Sequence, residues 1–546
     1  MLYYGDNLPI LRNRDYFPSE SIDLVYLDPP FNSNQEYNVL FAEQDGSRSA
    51  AQIRAFSDTW RWDESARRTF DETIEGGGRA AEALGALRTL AGESDMLAYL
   101  SMMAPRLVEL RRVLRSTGSL YLHCDPTAGA YLKVLLDGIF GPESFRNEIV
   151  WRRYGAHNDV GQGSRHFGRI HDTILFYTRG DAPTWTQLFT PLEGGYVEST
   201  YTHIEEGTGR RFATTPLTGP GGPEKGNPVF DWKGYTRAWR YSKATLEQLD
   251  RDGRLYYSKT GYVRQKLYLD ESKGVPVQDI WNDIPSLSGA HGERLGFPTQ
   301  KPQKLLERVI AASTRPGETV LDPFCGCGTA IAAAQALDRR WIGIDVTHLA
   351  ITLIRARLAE SYGGDVSYIV RGEPADQNGA EALARQDRYQ FQWWALGRIG
   401  ARPLNEERKK GADSGIDGKL FFREKENGPV KTMVIQVKSG ALKLSEVRDF
   451  AQVIQREKAP IGVLLALDEP TRDMRTEAAT LGYYRPEYRL SEDDKYDRYQ
   501  ILTIRELFEG KRPQYPPFRN VTFKAAPVAK PAPKGPKTRT KKLSET

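Results

Sequence analysis

Apolar positions in this chain fall into two patterns. Short unbroken runs read as strands buried on both faces: Leu2 to Tyr4, Leu24 to Leu27, Ser119 to Cys124, Glu148 to Trp151 and Thr173 to Tyr177. Longer stretches carry helical spacing. Met96, Leu100, Met103, Leu107, Leu110 and Leu114 recur at +4 and +3 behind Ser94, which predicts a capped helix, kinked at Pro105 and ended by Gly118. Ala130 to Ile139 repeats the pattern up to Gly141-Pro142, and 303–312 repeats it again. Residues 42–93 are polar, contain Gly76-Gly77-Gly78, and read as an insertion of loops and helices.

From Thr319 the order becomes strand, glycine loop, Ala-rich helix and a second strand, Trp341 to Asp345, which is a βαβ unit. Between Arg179 and about Ile284 helical periodicity fades. Tyr, Trp, Arg, Lys and Gly dominate, as in Tyr235-Thr236-Arg237-Ala238-Trp239-Arg240-Tyr241, and the segment reads as an irregular, partly β module with a basic-aromatic surface. Polar residues over 371–388 suggest a linker, 389–515 a separate α/β domain, and 524–546 a disordered Ala/Pro/Lys tail.

Composition narrows the class. At 546 residues, with 39% hydrophobic and 27% charged, the chain is long enough for about three domains. No run approaches a membrane span, no signal peptide is apparent, and 3 cysteines argue for a reducing, cytoplasmic setting. Net charge is +5, but the tail from Lys524 holds six Lys, one Arg and one Glu, leaving −1 for the rest (5 − 6). Any nucleic-acid surface on the folded part must therefore be a local patch.

Two loops carry the chemistry. The first strand of interest stops at Asp28-Pro29-Pro30-Phe31. Consecutive prolines cannot donate to a ladder, so the loop is stiff and holds a carboxylate, carbonyls without internal donors and an aromatic ring. In open α/β sheets ligands bind at that edge. The second loop is Asp322-Pro323-Phe324-Cys325-Gly326-Cys327-Gly328. Gly326 and Gly328 permit close backbone approach. Asp345, 17 residues after Gly328, ends the next strand, where an acid can accept from ribose hydroxyls. The loop has neither the dinucleotide glycine spacing nor the Lys-Ser/Thr of a triphosphate loop, so a nucleoside without phosphates is the expected ligand.

Pro298-Thr299-Gln300-Lys301-Pro302, the stretch Leu321 to Thr329, and Asp28 to Phe31 together resemble the amino-group DNA methyltransferases that use S-adenosylmethionine. The tetrapeptide precedes the cofactor loop, as in the permuted β class. The resemblance implies a doubly wound, mainly parallel Rossmann-like sheet over 1–180 and 285–370, with 181–284 as target-recognition region. It implies that Asp322, Pro323, Phe324, Gly326, Gly328 and Asp345 line the cofactor site, closed by Thr299, Lys301 and Pro302. Asp28, Pro29, Pro30 and Phe31 would be catalytic, the substrate double-stranded DNA, and a homodimer the oligomer to test for, since many members of the class pair.

An exocyclic amine is a poor nucleophile because its lone pair is delocalised into the base. The Asp28 carboxylate and Pro29 carbonyl can accept its two hydrogens, and Phe31 offers a stacking face to a flipped base. Methylation at cytosine carbon needs, in that family, a Cys after Pro, and none of Cys124, Cys325 and Cys327 follows Pro. The Asp at the first position resembles adenine-specific enzymes; a cytosine amine is the alternative, as is methylation of RNA or protein. His123-Cys124-Asp125 follows a strand end and borders the site or is merely structural.

Asp417 before the strand-like Lys419 to Phe422, with Gln436 and Lys438 on the next run, resembles the Mrr-type branch of PD-(D/E)xK nucleases. The resemblance implies Mg²⁺ on Asp417 and Gln436 oxygens, with Lys438 assisting water. Gln is a weaker ligand than Glu, so two readings stand: a single-chain restriction–modification enzyme, or a methyltransferase whose C-terminal domain only binds DNA.

Overall fold

The computed structural model describes residues 1–30, 61–155, 165–258, 262–287, 293, 300–363, 366–403, 415–425, 428–487, 494–516 and the backbone of 519–520. Phe31, Pro298, Thr299 and the tail lie outside them. Two compact units emerge, residues 187–278 and the remainder.

The main sheet contains β1 (Leu2–Tyr4), β2 (Ile22–Leu27), β3 (Leu114–Cys124), β4 (Phe145–Arg152), β5 (His171–Thr178), β6 (Ile280–Trp281), β7 (Thr319–Asp322), β8 (Arg340–Asp345) and β9 (Val370–Arg371). Their order is β6-β4-β5-β3-β2-β7-β8-β1-β9. Only β5 among them runs antiparallel to its neighbours. The sheet is the expected doubly wound, mainly parallel α/β architecture.

All six residues of β2 are buried, including the acid Asp23. Alternation sends Val25 and Leu27 into the core shared with Leu100, Met103 and Leu107 of helix Asp95–Val113. Each such aliphatic side chain contributes about 1.5–3 kcal/mol of burial. Tyr26 and Tyr121 occupy the opposite face, where the Tyr121 hydroxyl meets Ser313 Oγ (2.7 Å), at the end of helix Gln303–Ser313. Asp23 is satisfied in the interior by Thr319 N–H (2.8 Å) and Arg115 (3.3 Å). Ser94 caps the Asp95 helix by accepting from Leu97 N–H, as expected. The helix runs through Pro105 but ends at Val113, not at Gly118, because Leu114 already begins β3. Within 42–93 the described part forms helices Glu64–Glu75 and Gly78–Ala91.

The 187–278 unit is a small β structure. Arg211–Pro216 pairs antiparallel with Val263–Tyr268, flanked by His203–Ile204 and Leu255–Tyr257. A hairpin, Val229–Trp232 with Tyr235–Ala238, turns at Lys233 and Gly234, both at positive φ (48° and 88°), as the twist of a two-residue hairpin loop demands. Trp232, Trp239, Leu217 and Leu246 fill its core.

The C-terminal sheet holds β10 (Gly418–Arg423), β11 (Lys431–Lys438), β12 (Ile461–Ala466) and β13 (Tyr499–Thr503) in that order. Met433 and Ile435 face one core and Val434 the other, so both faces are covered. Residues 377–386, expected within a linker, instead form a helix whose Ala380, Leu383 and Ala384 join the first core. Among the described residues no helix is long and apolar enough to cross a membrane.

Candidate active site

β2 and β7 are parallel neighbours, with Leu24 beside Val320 and Val25 beside Leu321. The chain leaves them in opposite lateral directions, β2 toward β3 and β7 toward β8. Their carboxyl ends therefore bound the crevice at the switch point, where an open α/β sheet binds ligands. Asp28 stands just beyond β2, and Asp322 ends β7.

On the β2 side, Asp28 Oδ2 accepts from Lys301 Nζ at 2.5 Å, and the two side chains are only 16% and 10% exposed. Pro29 is buried and Pro30 partly so. The structure thus places Lys301 on the acid of the tetrapeptide, a partner 273 residues away. Behind them runs a buried polar chain. The Tyr26 hydroxyl meets His123 Nδ1 (3.0 Å), His123 Nε2 meets Asp172 Oδ2 (2.9 Å), and Arg153 Nε lies 3.2 Å from Asp172 Oδ1. Burial pushes the Asp172 carboxyl up, but the His123 bond, with Lys301 and Arg153, brings it below the usual range. Burial, together with Asp28, Asp322 and Asp172, holds the Tyr26 phenol protonated. With a neutral ring, Nε2–H then donates to Asp172 and the phenol donates to Nδ1. His123 is fully buried. Asp125 caps helix Pro126–Phe140 through Ala128 N–H, and Cys124 is buried with its thiol pushed up by burial.

On the β7 side the loop is built from backbone bonds. Phe324 N–H donates to Asp322 Oδ1 (3.1 Å), Cys325 N–H to Ile344 O (3.1 Å) and Gly328 N–H to Cys325 O (2.7 Å). Gly328 has φ of +75°, and a Cβ there would lie 2.6 Å from Ile354 Cγ1. Gly343 on β8 is equally constrained, since a Cβ would meet Ile331 at 2.5 Å. Asp345 accepts from Gly326 N–H (2.9 Å), Thr347 N–H (2.9 Å) and Thr347 Oγ1 (2.8 Å). Burial raises the Asp345 carboxyl against those bonds. Burial, then Asp28 and Asp345, raises Asp322 well above the carboxylate range.

Two supports escaped sequence reasoning. Asn7 Nδ2 donates to Pro323 O (2.7 Å), and Arg106 holds Asn7 Oδ1 (2.6 Å) and Asp6 (2.7 Å). The only sequence signal is Gly5-Asp6-Asn7, a cluster of turn residues directly after Leu2 to Tyr4. Arg357, buried in helix His348–Tyr362, donates to Thr329 Oγ1 (3.2 Å) and Gln303 Oε1 (3.1 Å), tying the glycine-loop helix to the helix behind Pro302.

The C-terminal residues sit differently. Asp417 Oδ2 accepts from Val437 N–H at 2.6 Å, across the β10–β11 pair. Gln436 Oε1 is buried without a hydrogen-bond partner among the described residues. Lys438 Nζ is paired with Glu446 at 2.9 Å, on helix Leu444–Arg456. Among the described residues no group of three or more His, Cys, Asp or Glu could hold a metal ion, so nothing there supports the expected Mg²⁺.

Residues 22–355, more than half of the chain, match the family model described as DNA methylase, of the N6/N4 type. The chain belongs to the N6/N4 DNA methylase family. This methylase is 32% identical to the type II methyltransferase M.EcaI of Enterobacter cloacae over 269 residues, 48% of this chain and 58% of that one. It is 26% identical to the type III restriction-modification enzyme StyLTI Mod subunit of Salmonella typhimurium, over 61% of this chain and 49% of that one. It is 22% identical to the DNA adenine methyltransferase YhdJ of Escherichia coli, over 67% of this chain and 85% of that one. The methylase thus spans about half the length of the first two relatives. Residues 389–509 match a second model, NACHT-associated inactive restriction endonuclease 1.

Proposed function

We propose that this methylase transfers a methyl group from S-adenosylmethionine to the exocyclic amine of adenine in double-stranded DNA. The observation that carries it is the Asp28 carboxylate at the carboxyl end of β2, abreast of the glycine loop after β7, at the sheet's switch point.

The β7 half suits the cofactor's nucleoside. Gly328, at positive φ and packed against Ile354, keeps the loop in a tight turn that no larger residue could hold. The Asp345 carboxylate is oriented by three bonds, two to Oδ1 and one to Oδ2. A carboxylate has about four acceptor sites, so capacity remains for a ribose hydroxyl. Asp322, Pro323, Phe324, Gly326, Gly328 and Asp345 would hold it, and Pro302 would help close the site; Thr299, expected with it, lies outside the described residues. When bound, the cofactor supplies an electrophilic methyl on a sulfonium.

The β2 half acts on the base. Lys301 occupies Asp28 Oδ2, which leaves Oδ1 to accept one amine hydrogen, while Pro29 O accepts the other. Both acceptors pull the nitrogen lone pair out of conjugation. As positive charge develops on that nitrogen, the Asp28 anion stabilises it and takes the surplus proton. The Asp of the tetrapeptide and the likeness to a DNA adenine methyltransferase support adenine over the cytosine amine.

The test is Asp28→Ala on unmethylated duplex with labelled cofactor. Transfer should fall by about 10³-fold or more, with cofactor affinity within about twofold. Equal loss of both would contradict the role, and methylcytosine in the wild-type product would correct the base.

For the C-terminal domain, the Lys438–Glu446 pair, the lack of an acidic cluster among the described residues and the match to an inactive endonuclease support a DNA-holding module that does not cut. Supercoiled DNA should stay intact with Mg²⁺. Nicking that disappears in Lys438→Ala would establish cleavage instead.

A further inference from the structure

The 187–278 unit sorts its cations. Arg210 pairs with Asp270 and Glu271, Arg254 with Glu271, and Lys266 with Glu205. These three gather around Tyr268 and Phe212, toward the end of strand Val263–Tyr268. The start of the same strand is different. Arg264 and, across a small cleft, Arg237 have no carboxylate within 4.0 Å among the described residues. Asp231, the hairpin's own acid, is engaged by Gly234 N–H and Thr236 Oγ1. The cleft between Tyr235, Arg237, Tyr262 and Arg264 holds about 20 Å³, room for one or two waters. It cannot swallow a flipped base. Its contribution must come from the side chains at its rim.

Those side chains are held in place. Arg237 lies over the half-exposed Tyr262 ring, 4.9 Å from its centroid, a stacking that leaves the guanidinium N–H edge to a ligand. Arg264 donates Nε to Thr214 Oγ1 (2.8 Å) and Nη2 to Thr214 O (3.0 Å), and Nη1 has no partner among the described residues. An oriented guanidinium without a counter-ion matches the two adjacent acceptors, O6 and N7, on the major-groove edge of guanine.

We propose that Arg237, with Arg264 beside it, reads a guanine edge in duplex DNA and so sets part of the sequence this methylase selects. The proposal rests on the reading of the chain as acting on duplex DNA. It assigns these residues to base contact, not to general phosphate attraction.

The test is a binding selection of the full chain from a random duplex pool, with methylation read in parallel. Wild type should enrich a motif containing a G·C pair. Arg237→Ala should lose about ten- to a hundredfold of its preference at one such pair. Arg237→Lys keeps the charge but not the fork and should lose the same preference while holding bulk DNA normally. Arg210→Ala, at the ion-paired end, should leave the motif unchanged. A uniform loss of affinity in Arg237→Ala, with the motif intact and the salt slope lowered by about one, would overturn the proposal in favour of a phosphate contact. Wild type enriching no motif would overturn it too. Enrichment of the expected motif with no methyl transfer would leave the inference standing and sink the proposed function.

Discussion

Two sheets in this chain end in the same residue types, an acid beside a strand and a lysine within reach, and they are wired differently. At the methylase edge the lysine reaches the acid itself. Lys301 and Asp28 are 10% and 16% exposed, with the Tyr26–His123–Asp172–Arg153 chain behind them. At the C-terminal edge the lysine turns away. Lys438 pairs with Glu446 on a helix, both side chains are more than a quarter exposed, and Asp417 is held by a strand N–H. An acid–lysine pair in a sequence is therefore a statement about composition. Whether it forms a reactive centre depends on which atoms the fold brings together and how dry it keeps them.

That contrast can be broken in graded steps. Asp172→Ala should cost most, because it leaves the fully buried His123 and the partly exposed Arg153 without their acid. About 3–5 kcal/mol of folding free energy should disappear in urea titrations, and a loss under about 1 would mean the chain is ornamental. Lys301→Met should lower kcat about 10- to 100-fold while cofactor affinity holds within about threefold. A matching fall in cofactor affinity would return Lys301 to the cofactor half. Asp322→Asn tests the electrostatics of that half. A carboxyl raised in the folded state adds stability that is present below about pH 4 and lost as pH climbs through the raised value. The neutral variant should therefore melt a few degrees above wild type at pH 8 and level with it near pH 4. Lys438→Ala should do least: methyl transfer unchanged, and unfolding shifted by about 1 kcal/mol or less.

Much of the scaffold was legible because its signals are local. The buried run of β2, its proline stop, the Ser94 cap and the glycine loop each announce themselves within a few residues. The wiring was not legible. Lys301 reads as part of a Thr-Gln-Lys-Pro stretch, and nothing near it points to Asp28. Asn7 lies 316 residues from the carbonyl it holds, and His123 lies 49 from Asp172. Such pairs follow from sheet order, which short-range patterns do not encode. The helix over 377–386 was read as linker because its outward face is Gln, Asn, Glu and Arg. Its inward face is alanines and one leucine, an apolar stripe too thin to stand out. Asp345 was read at the right strand end, but its loop and cap partners became visible only in the fold.

One feature of the sheet also bears on how the chain comes to exist. The strand leading into Asp28 pairs with a strand that leaves the ribosome much later; the Asp23–Thr319 bond alone spans 296 positions. At about 5–20 residues per second, that interval is on the order of 15 to 60 seconds. During it one flank of β2 has no partner, while the hairpins of the 187–278 unit can already close on themselves. A nascent strand so apolar, waiting so long, is a natural client for chaperones, and heterologous expression should improve at low temperature.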